Sequence, residues 1–231
     1  MTLNAPARRA AIALLLLVPM PSIGVFLAMI AMPDTAVGKG VWTFSKIWLA
    51  LFPLAWFLLI ERGRIRMPRP TRAGLLAGVV TGSIIVAGIG LGYLLIGRHI
   101  IDETIVREQA IAVGLTSPLL YLGMAVYWCT INSLLEEYVW RWFVFTRCEA
   151  IASRYVAVGL SALFFTLHHI IALSVFFDFG ITVIASLGVF VGGATWSWIY
   201  LRYRDIWGAY VSHLFADVII FGIGYIMIFG G

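Results

Sequence analysis

Seven ionisable side chains lie inside or next to long apolar runs in the C-terminal half of this chain. Such groups are costly to place in apolar surroundings and are seldom kept there without a role. They comprise two adjacent acids followed by a base, two adjacent histidines, and a histidine followed by an acid. These residues are Glu136, Glu137, Arg141, His168, His169, His213 and Asp217. Three of the four histidines of the protein belong to this group.

The spacing of these residues indicates how helices would present them. Glu137 and Arg141 are four residues apart, so they share a helix face and can form an ion pair that offsets their burial. Glu136 points about 100° away from Glu137 and is free to face another helix. His213 and Asp217 have the same spacing, which places a carboxylate beside that imidazole. Three helices could therefore present a carboxylate and two imidazoles to one cavity.

This combination of groups suits the hydrolysis of a peptide bond. The reaction needs a base for the attacking water, a donor for the oxyanion and an acid for the leaving amine. Glu136 is a candidate general base, and an imidazole can donate to the oxyanion. Cys129 and Cys148 lack a clear catalytic partner, and no serine stands in a triad-like context among these residues. Covalent catalysis is therefore not indicated.

Three motifs in this region resemble those of the CPBP family, which includes the CAAX proteases that trim prenylated proteins and the bacterial Abi-type proteins. EEYVWR at 136–141 resembles the family's EExxxR motif, segment 161–169 its FxxxH motif, and segment 213–217 its HxxxN or HxxxD motif. The motifs occur in the family's order and cover roughly residues 120–220. The earlier part of the chain matches only as generic spans.

The resemblance implies catalytic roles for four residues and supporting roles for two. Glu136 and His169 would activate the water, and His213 with Asp217 would form the oxyanion site. The supporting residues of the first helix would be Glu137 and Arg141.

Two points in the motifs leave alternatives open. His168 is the alternative to His169, because each histidine follows a phenylalanine by four residues. We prefer His169, since the upstream Ser-Ala-Leu then falls where the family usually has it. The family often has asparagine in place of Asp217, and an ionised aspartate cannot donate to an oxyanion. Asp217 would have to be protonated, or would orient His213 and stabilise its charged form.

The elements that must carry these residues are membrane-spanning helices. Hydrophobic residues make up 62% of the 231 positions and charged residues only 12%. This composition has too few polar residues to cover the surface of a soluble domain. Each of seven apolar runs is near the length of about 20 residues that a spanning helix needs. The runs are Ala10–Met32, Val41–Ile60, Ala73–Gly97, Ala110–Leu135, Tyr155–Phe177, Phe179–Leu201 and Ile206–Gly231.

The predicted fold is therefore all-α, a polytopic transmembrane bundle of about seven spans with a polar catalytic cavity at membrane depth. We expect one integral membrane domain over residues 1–231, with a CAAX-protease-like catalytic core at 120–220. The loop from Arg98 to Ser117 could contain a surface helix or a short extra span.

Basic residues predict the orientation of the bundle, because they stay on the cytoplasmic side in short loops. With a cytoplasmic N-terminus, eleven of the sixteen lie on that side. They are Arg8, Arg9, Arg62, Arg64, Arg66, Arg69, Arg72, Arg147, Arg154, Arg202 and Arg204. Lys39, Lys46, Arg98 and Arg107 fall on the other side. We expect a bacterial inner or cell membrane, with lipids as partners.

The net charge of +5 is interpreted as this orientation signal and as attraction to anionic headgroups. Residues 61–72 are basic but lack interleaved aromatic residues, so no nucleic-acid partner is expected.

The function predicted from the sequence is that of a glutamic-type intramembrane endopeptidase. Its partner would be a membrane-anchored or lipid-modified polypeptide substrate, because such a chain already reaches a cavity within the bilayer. One alternative is a non-catalytic scaffold or immunity protein of the same fold. Another is a proton-coupled transporter, although the polar residues occupy only one half of the chain. The sequence specifies neither the scissile bond nor the oligomeric state.

No cofactor is expected, with zinc as the alternative. Two histidines and a carboxylate could bind Zn²⁺ with an open position, and the family was historically described as metalloproteases. The sequence contains no HExxH motif. Metal-free glutamate chemistry is the better-supported description of the family.

Overall fold

The computed structural model describes residues 4–65 and 68–230, so that Arg66 lies outside the described residues. All the regular structure of the described part is helical. The helices are α1 (Ala5–Ala31), α2 (Ala36–Ile60), α3 (Arg72–Ile100), α4 (Glu103–Ala112), α5 (Pro118–Ile151), α6 (Arg154–Phe176), α7 (Phe179–Tyr203) and α8 (Trp207–Phe229). Seven of them are long and apolar enough to cross a membrane, and only α4 is too short. The predicted all-α, seven-span bundle is confirmed, and the chain is an integral membrane protein.

The predicted bounds of the fourth span, Ala110–Leu135, were wrong. Residues 110–112 end the short helix α4, and Gly114 then turns the chain with a φ of +88°. The span α5 begins at Pro118, where the Ser117 side chain caps it by accepting a hydrogen bond from the Leu120 amide. It also continues beyond Leu135 to Ile151, because its acidic and basic side chains find partners inside the bundle.

Helix α5 forms the centre of the bundle and contacts α1, α2, α6, α7 and α8. Its segment from Val139 to Phe145 includes apolar side chains that are almost fully buried. Two stretches of α5, Trp128–Asn132 and Tyr138–Phe145, are π-helical and flank the regular turn Ser133–Glu137. Such wide turns often accompany functional sites. Here they flank the turn that carries both adjacent acids.

Glycines bring α8 close to α3. A Cβ atom added to Gly78 would lie 2.2 Å from the Gly208 carbonyl oxygen, and one added to Gly208 would lie 2.3 Å from the Gly74 carbonyl oxygen. Small residues permit this backbone approach, which is how helices commonly associate in lipid. The crossing fixes the position of α8, the helix that carries His213 and Asp217.

Ion pairs join the basic loops at one end of the bundle. Arg147 near the end of α5 lies 2.5 Å from Glu61, which follows α2. Arg204, between α7 and α8, donates to both carboxylate oxygens of Glu149 at 2.6 and 2.8 Å. This hydrogen bonding raises the pKa of Arg204. The alternating spans therefore place these loops at the same end, as the distribution of basic residues predicts.

Candidate active site

Glu137 is the most deeply buried acid of the predicted site. Its Oε1 atom lies 3.0 Å from Nη1 of Arg141, and both side chains are fully buried. The same oxygen accepts a hydrogen bond of 2.8 Å from Nδ1 of His213 on α8. Arg141 also donates to the Gly193 carbonyl on α7 at 3.3 Å. The pairing of Glu137 with Arg141 is the one expected from their spacing, while the contact with His213 joins two helices and was not predicted.

Glu136 points away from that pair and faces the histidines. Its Oε2 atom lies 3.7 Å from Nε2 of His213. Its Oε1 atom accepts a hydrogen bond of 2.9 Å from the Asn132 side-chain amide. One carboxylate oxygen is thus bound within α5, and the other is directed toward α8.

The imidazole of His213 is clamped by an aromatic ring as well as by acids. Trp196 of α7 stacks on it with ring centroids 3.9 Å apart and an interplanar angle of 17°. The indole N–H of Trp196 donates to the Ser212 hydroxyl at 3.0 Å, which fixes the indole. The guanidinium carbon of Arg141 lies 5.0 Å from the centre of the same Trp196 ring. Helix α7 therefore contributes to the site, although sequence reasoning assigned it no residue.

The two adjacent histidines of α6 have different surroundings. Nδ1 of His169 donates to the Phe165 carbonyl at 2.9 Å, so its Nε2 carries the lone pair. His168 is buried and stacks on Trp140 at 5.5 Å with an interplanar angle of 10°. Ligand atoms of Glu136, His168 and His169 lie within 4.8 Å of one another. The structure thus brings both histidines near Glu136, and it gives His169 a fixed tautomer.

Asp217 approaches His213 less closely than Glu137 does. Its Oδ1 atom lies 3.7 Å from Nε2 of His213, and its Oδ2 atom accepts a hydrogen bond from the Ser133 hydroxyl. Nε2 of His213 is therefore shared between Asp217 and Glu136, at equal distances. This arrangement suits the orienting role considered for Asp217 rather than direct donation to an oxyanion.

Lys46 of α2 also reaches the site, which corrects its assignment to the outer side of the membrane. It lies within the span Ala36–Ile60, and its Nζ atom donates to Oδ1 of Asn132 at 2.9 Å. Asn132 in turn binds Glu136, so an amide joins the ammonium to the acid. In the sequence, the only sign that this residue could belong to the site is its position as a lone lysine within an apolar run. Nothing in the sequence indicated which helix it would face.

The donor atoms of Glu136, His168 and His169 are compatible with a metal ion. A carboxylate and two imidazoles with an open position form a common zinc site. Nε2 of His169 is free to coordinate because Nδ1 is already bound to a carbonyl. One oxygen of Glu136 is held by Asn132. The donor set fits zinc, and the expectation of metal-free chemistry stays a prediction.

An apolar groove is lined by residues of α5 and α8. It encloses about 450 Å³ and is lined by residues that include Ala125, Cys129, Leu214, Val218 and Gly222. Leu214 directly follows His213, and Val218 directly follows Asp217. The groove is thus lined by the residues that directly follow His213 and Asp217, and by none of the seven ionisable residues.

Comparison with known proteins places this region in a described family. Residues 118–219 match the family model described as type II CAAX prenyl endopeptidase Rce1-like. The matched segment starts at the first residue of α5 and ends within α8, and it contains all seven ionisable residues singled out from the sequence. No curated protein and no solved structure matches the chain.

Proposed function

Since residues 118–219 make this chain a member of the Rce1-like family of type II CAAX prenyl endopeptidases, we propose that it hydrolyses peptide bonds within the membrane by glutamate-activated water. The substrate would be a membrane-anchored or lipid-modified polypeptide. The observation that supports this mechanism most directly is the position of Glu136, with one oxygen held by Asn132 and the other directed toward His213.

The attacking water would lie between Glu136 and His169. Because Nδ1 of His169 donates to a backbone carbonyl, its Nε2 accepts a hydrogen bond from the water and orients it. The carboxylate of Glu136 removes a proton as the water oxygen attacks the carbonyl carbon of the scissile bond. This step produces a tetrahedral intermediate with a negative oxygen and a protonated Glu136.

His213 would stabilise that negative oxygen. Its Nδ1–H donates to Glu137, which holds the ring in place, and Asp217 near Nε2 stabilises the charged imidazolium. A charged His213 carries a proton on Nε2 and can donate it in a hydrogen bond to the oxyanion. Glu137 and Asp217 thereby act through His213 rather than on the substrate.

Collapse of the intermediate completes the reaction. The C–N bond breaks as protonated Glu136 returns its proton to the leaving nitrogen. The products are a new carboxyl terminus and a new amino terminus, and Glu136 is again a carboxylate. The same residue thus serves as base and then as acid.

The apolar groove supports a lipid-modified substrate. A chain of CH₂ groups would contact Leu214 and Val218 in this groove, the residues that directly follow His213 and Asp217 in α8. A substrate already anchored in the bilayer reaches this groove without leaving lipid. We further propose one membrane domain over residues 1–231 with its catalytic core at 120–220, in a bacterial inner or cell membrane, with the N-terminus in the cytoplasm. The basic loops at one end of the bundle support this orientation.

Cleavage by purified protein tests the proposed function. Membrane-anchored peptides with and without a lipid group would be incubated with the wild type in detergent, and the products identified by mass spectrometry. New internal termini are the expected result for an endopeptidase. Intact peptides throughout would contradict the proposal and favour a scaffold of the same fold.

A further inference from the structure

The spans separate on one side of the turn that carries Glu136 and Glu137. Over residues 118–137, α5 packs mainly against α8. Over residues 138–151, it packs against α1, α2, α6 and α7. The bundle is therefore closed on the side of the two acids that leads to the basic loops, and it is more open on the side that leads to α4.

A layer of buried rings closes the bundle between the site and the basic loops. The Phe165 ring packs edge-to-face against Trp140 and Trp196, with centroids 5.7 and 5.8 Å apart. None of the three side chains is more than 4% exposed. Trp140 and Phe165 each lie one helical turn from Glu136 and His169, on the side of the basic loops. Water and peptide thus have no wide route to the site from that end.

The more exposed groups of the site lie on the opposite side. The side chains of Glu136 and Asp217 are 12% and 18% exposed, against 0% for Glu137 and 4% for His213. Helix α5 runs toward the basic loops, so Glu136 is farther from them than Glu137. Helix α8 runs in the other direction, so Asp217 is farther from them than His213. On both helices, exposure increases toward the end of the bundle that carries α4.

Helices α6 and α2 show the same direction. His169 is partly exposed, whereas His168, which is nearer the basic loops, is buried. Lys46 of α2 is also partly exposed. It follows Ala36, the first residue of α2, by ten residues, which places it about 15 Å along the helix from the α4 end. Four helices therefore border a cleft that narrows from the α4 end toward Glu136.

Water is the environment that these exposed groups require. Ionisable side chains facing lipid are costly, and those within spans face the bundle interior or a water-filled cavity. Helix α4 lies at the open end, where Arg107 donates to the Met227 carbonyl near the end of α8. The cleft is thus connected to the solution beyond α4. The water that Glu136 activates would arrive by this route.

We propose that the active-site cleft opens at the α4 end of the bundle, opposite the basic loops, and that the enzyme cleaves membrane-anchored polypeptides in a segment outside the cytoplasm. The proposal rests on the proposed function and on the proposed cytoplasmic position of the basic loops. It adds the class of substrate that the same site receives. A polypeptide whose cleavable segment stays in the cytoplasm would meet the layer of buried rings instead of the cleft.

Labelling of single cysteines from one side of the membrane tests the opening without requiring cleavage. Lys46→Cys is treated with a membrane-impermeant, cationic methanethiosulfonate in vesicles of either orientation. Glu108→Cys on the exposed surface of α4 and Arg64→Cys in the basic loop after α2 report the two ends of the bundle. The wild type is the blank, because Cys129 and Cys148 are buried. We expect Lys46→Cys to react from the outer side, with Glu108→Cys, and to lose this reaction from the cytoplasmic side.

Three outcomes of the labelling would overturn the proposal. Reaction of Lys46→Cys from the side of Arg64→Cys would show that the cleft opens toward the basic loops. Reaction from neither side would show that it holds no water. Reaction of Glu108→Cys from the cytoplasmic side would invert the bundle and place the substrate in the cytoplasm. If Lys46→Cys fails to fold, Asp217→Cys reports the same cleft from α8.

Two membrane-anchored substrates test which segment is cleaved. A peptide segment that the purified protein cleaves is placed on the outer or on the cytoplasmic side of the same transmembrane anchor, and each fusion is expressed with the wild type or with Glu136→Gln. Only the outer segment should be cleaved, and only by the wild type. Cleavage of the cytoplasmic segment would overturn the proposal. If the purified protein cleaves no peptide, the proposed function fails, whereas the labelling still decides where the cleft opens.

Discussion

The Nδ1 atom of His213 on α8 lies 2.8 Å from Oε1 of Glu137 on α5. Both side chains are buried, and the same glutamate oxygen is 3.0 Å from Arg141. Glu137 thus joins the arginine of its own helix to the imidazole of another. It links the stability of the bundle to the geometry of the proposed catalytic residues.

Glu137→Ala is expected to destabilise the protein as well as to inactivate it. Removal of one member of a buried ion pair leaves the charge of Arg141 uncompensated, which costs about 3–5 kcal/mol. The thermal midpoint in detergent should therefore fall. The double variant Glu137→Leu, Arg141→Leu should recover much of that stability, because no buried charge is left. It should still not cleave peptides, since His213 has lost its acceptor, and recovery of cleavage would contradict the positioning role of Glu137.

Replacements of Asp217 are expected to separate two contributions of this residue, its hydrogen bond with Ser133 and its negative charge beside His213. Asp217→Asn retains an oxygen that can accept from Ser133 but loses the charge that stabilises the His213 imidazolium, so lowered but measurable cleavage should remain. Asp217→Ala removes the acceptor for Ser133 as well as the charge and should lower kcat by about 100-fold, because His213 then loses the charged form that stabilises the oxyanion. A comparison of kcat at saturating substrate checks this order. Full activity in Asp217→Ala would exclude a role for the residue.

The two histidines of α6 should differ in their importance. His169→Ala is expected to lower kcat by about 100-fold, because the attacking water loses the acceptor that orients it. His168→Phe keeps an aromatic ring against Trp140 and should retain most of the activity. If both variants are inactive and a chelator also inhibits the wild type, the zinc alternative is favoured instead.

Narrowing the apolar groove should weaken binding of lipid-modified substrates selectively. Gly222 lines the groove, and an added Cβ atom there would meet nothing within 4 Å. Gly222→Leu should displace part of the lipid chain. Loss of two buried CH₂ groups corresponds to about 1.6 kcal/mol and roughly a tenfold rise in KM.

The matched control for the groove variant is Gly188→Leu on α7. Gly188 also has open space at its Cβ position and lies outside the groove. Peptides without a lipid group should show little change in KM with either variant. Equal effects of Gly222→Leu on both kinds of peptide would show that the groove does not hold the lipid.

The seven spans could be predicted from the sequence because long apolar runs require lipid around them. The end of the fourth span could not be predicted correctly. Two adjacent acids, Glu136 and Glu137, predict the end of the span there, a prediction that would hold only if their side chains were exposed to water. In the bundle they are bound by Asn132, Arg141 and His213. The cost that a hydropathy pattern assigns to them is offset by tertiary contacts.

Contacts within one helix were predicted better than contacts between helices. The spacing of Glu137 and Arg141 indicates their pairing directly, since residues four apart are neighbours on a helix. The same rule favoured Asp217 as the partner of His213, whereas Glu137 is closer. The stacking of Trp196 on His213 depends on how α7 packs against α8, and no spacing in the sequence encodes it.

The central claim is tested most directly by measuring how Glu136→Gln cleaves a membrane-anchored peptide. Its rate is compared with those of the wild type and of Glu108→Gln, a change on the exposed surface of α4. Glutamine can still accept a hydrogen bond but cannot take the proton of the water, so kcat should fall by at least about 100-fold, with little change in KM. Glu108→Gln should match the wild type, and a chelator should leave the wild-type rate unchanged. Wild-type kcat in Glu136→Gln would contradict glutamate-activated hydrolysis, and loss of wild-type activity to the chelator would contradict its metal-free form.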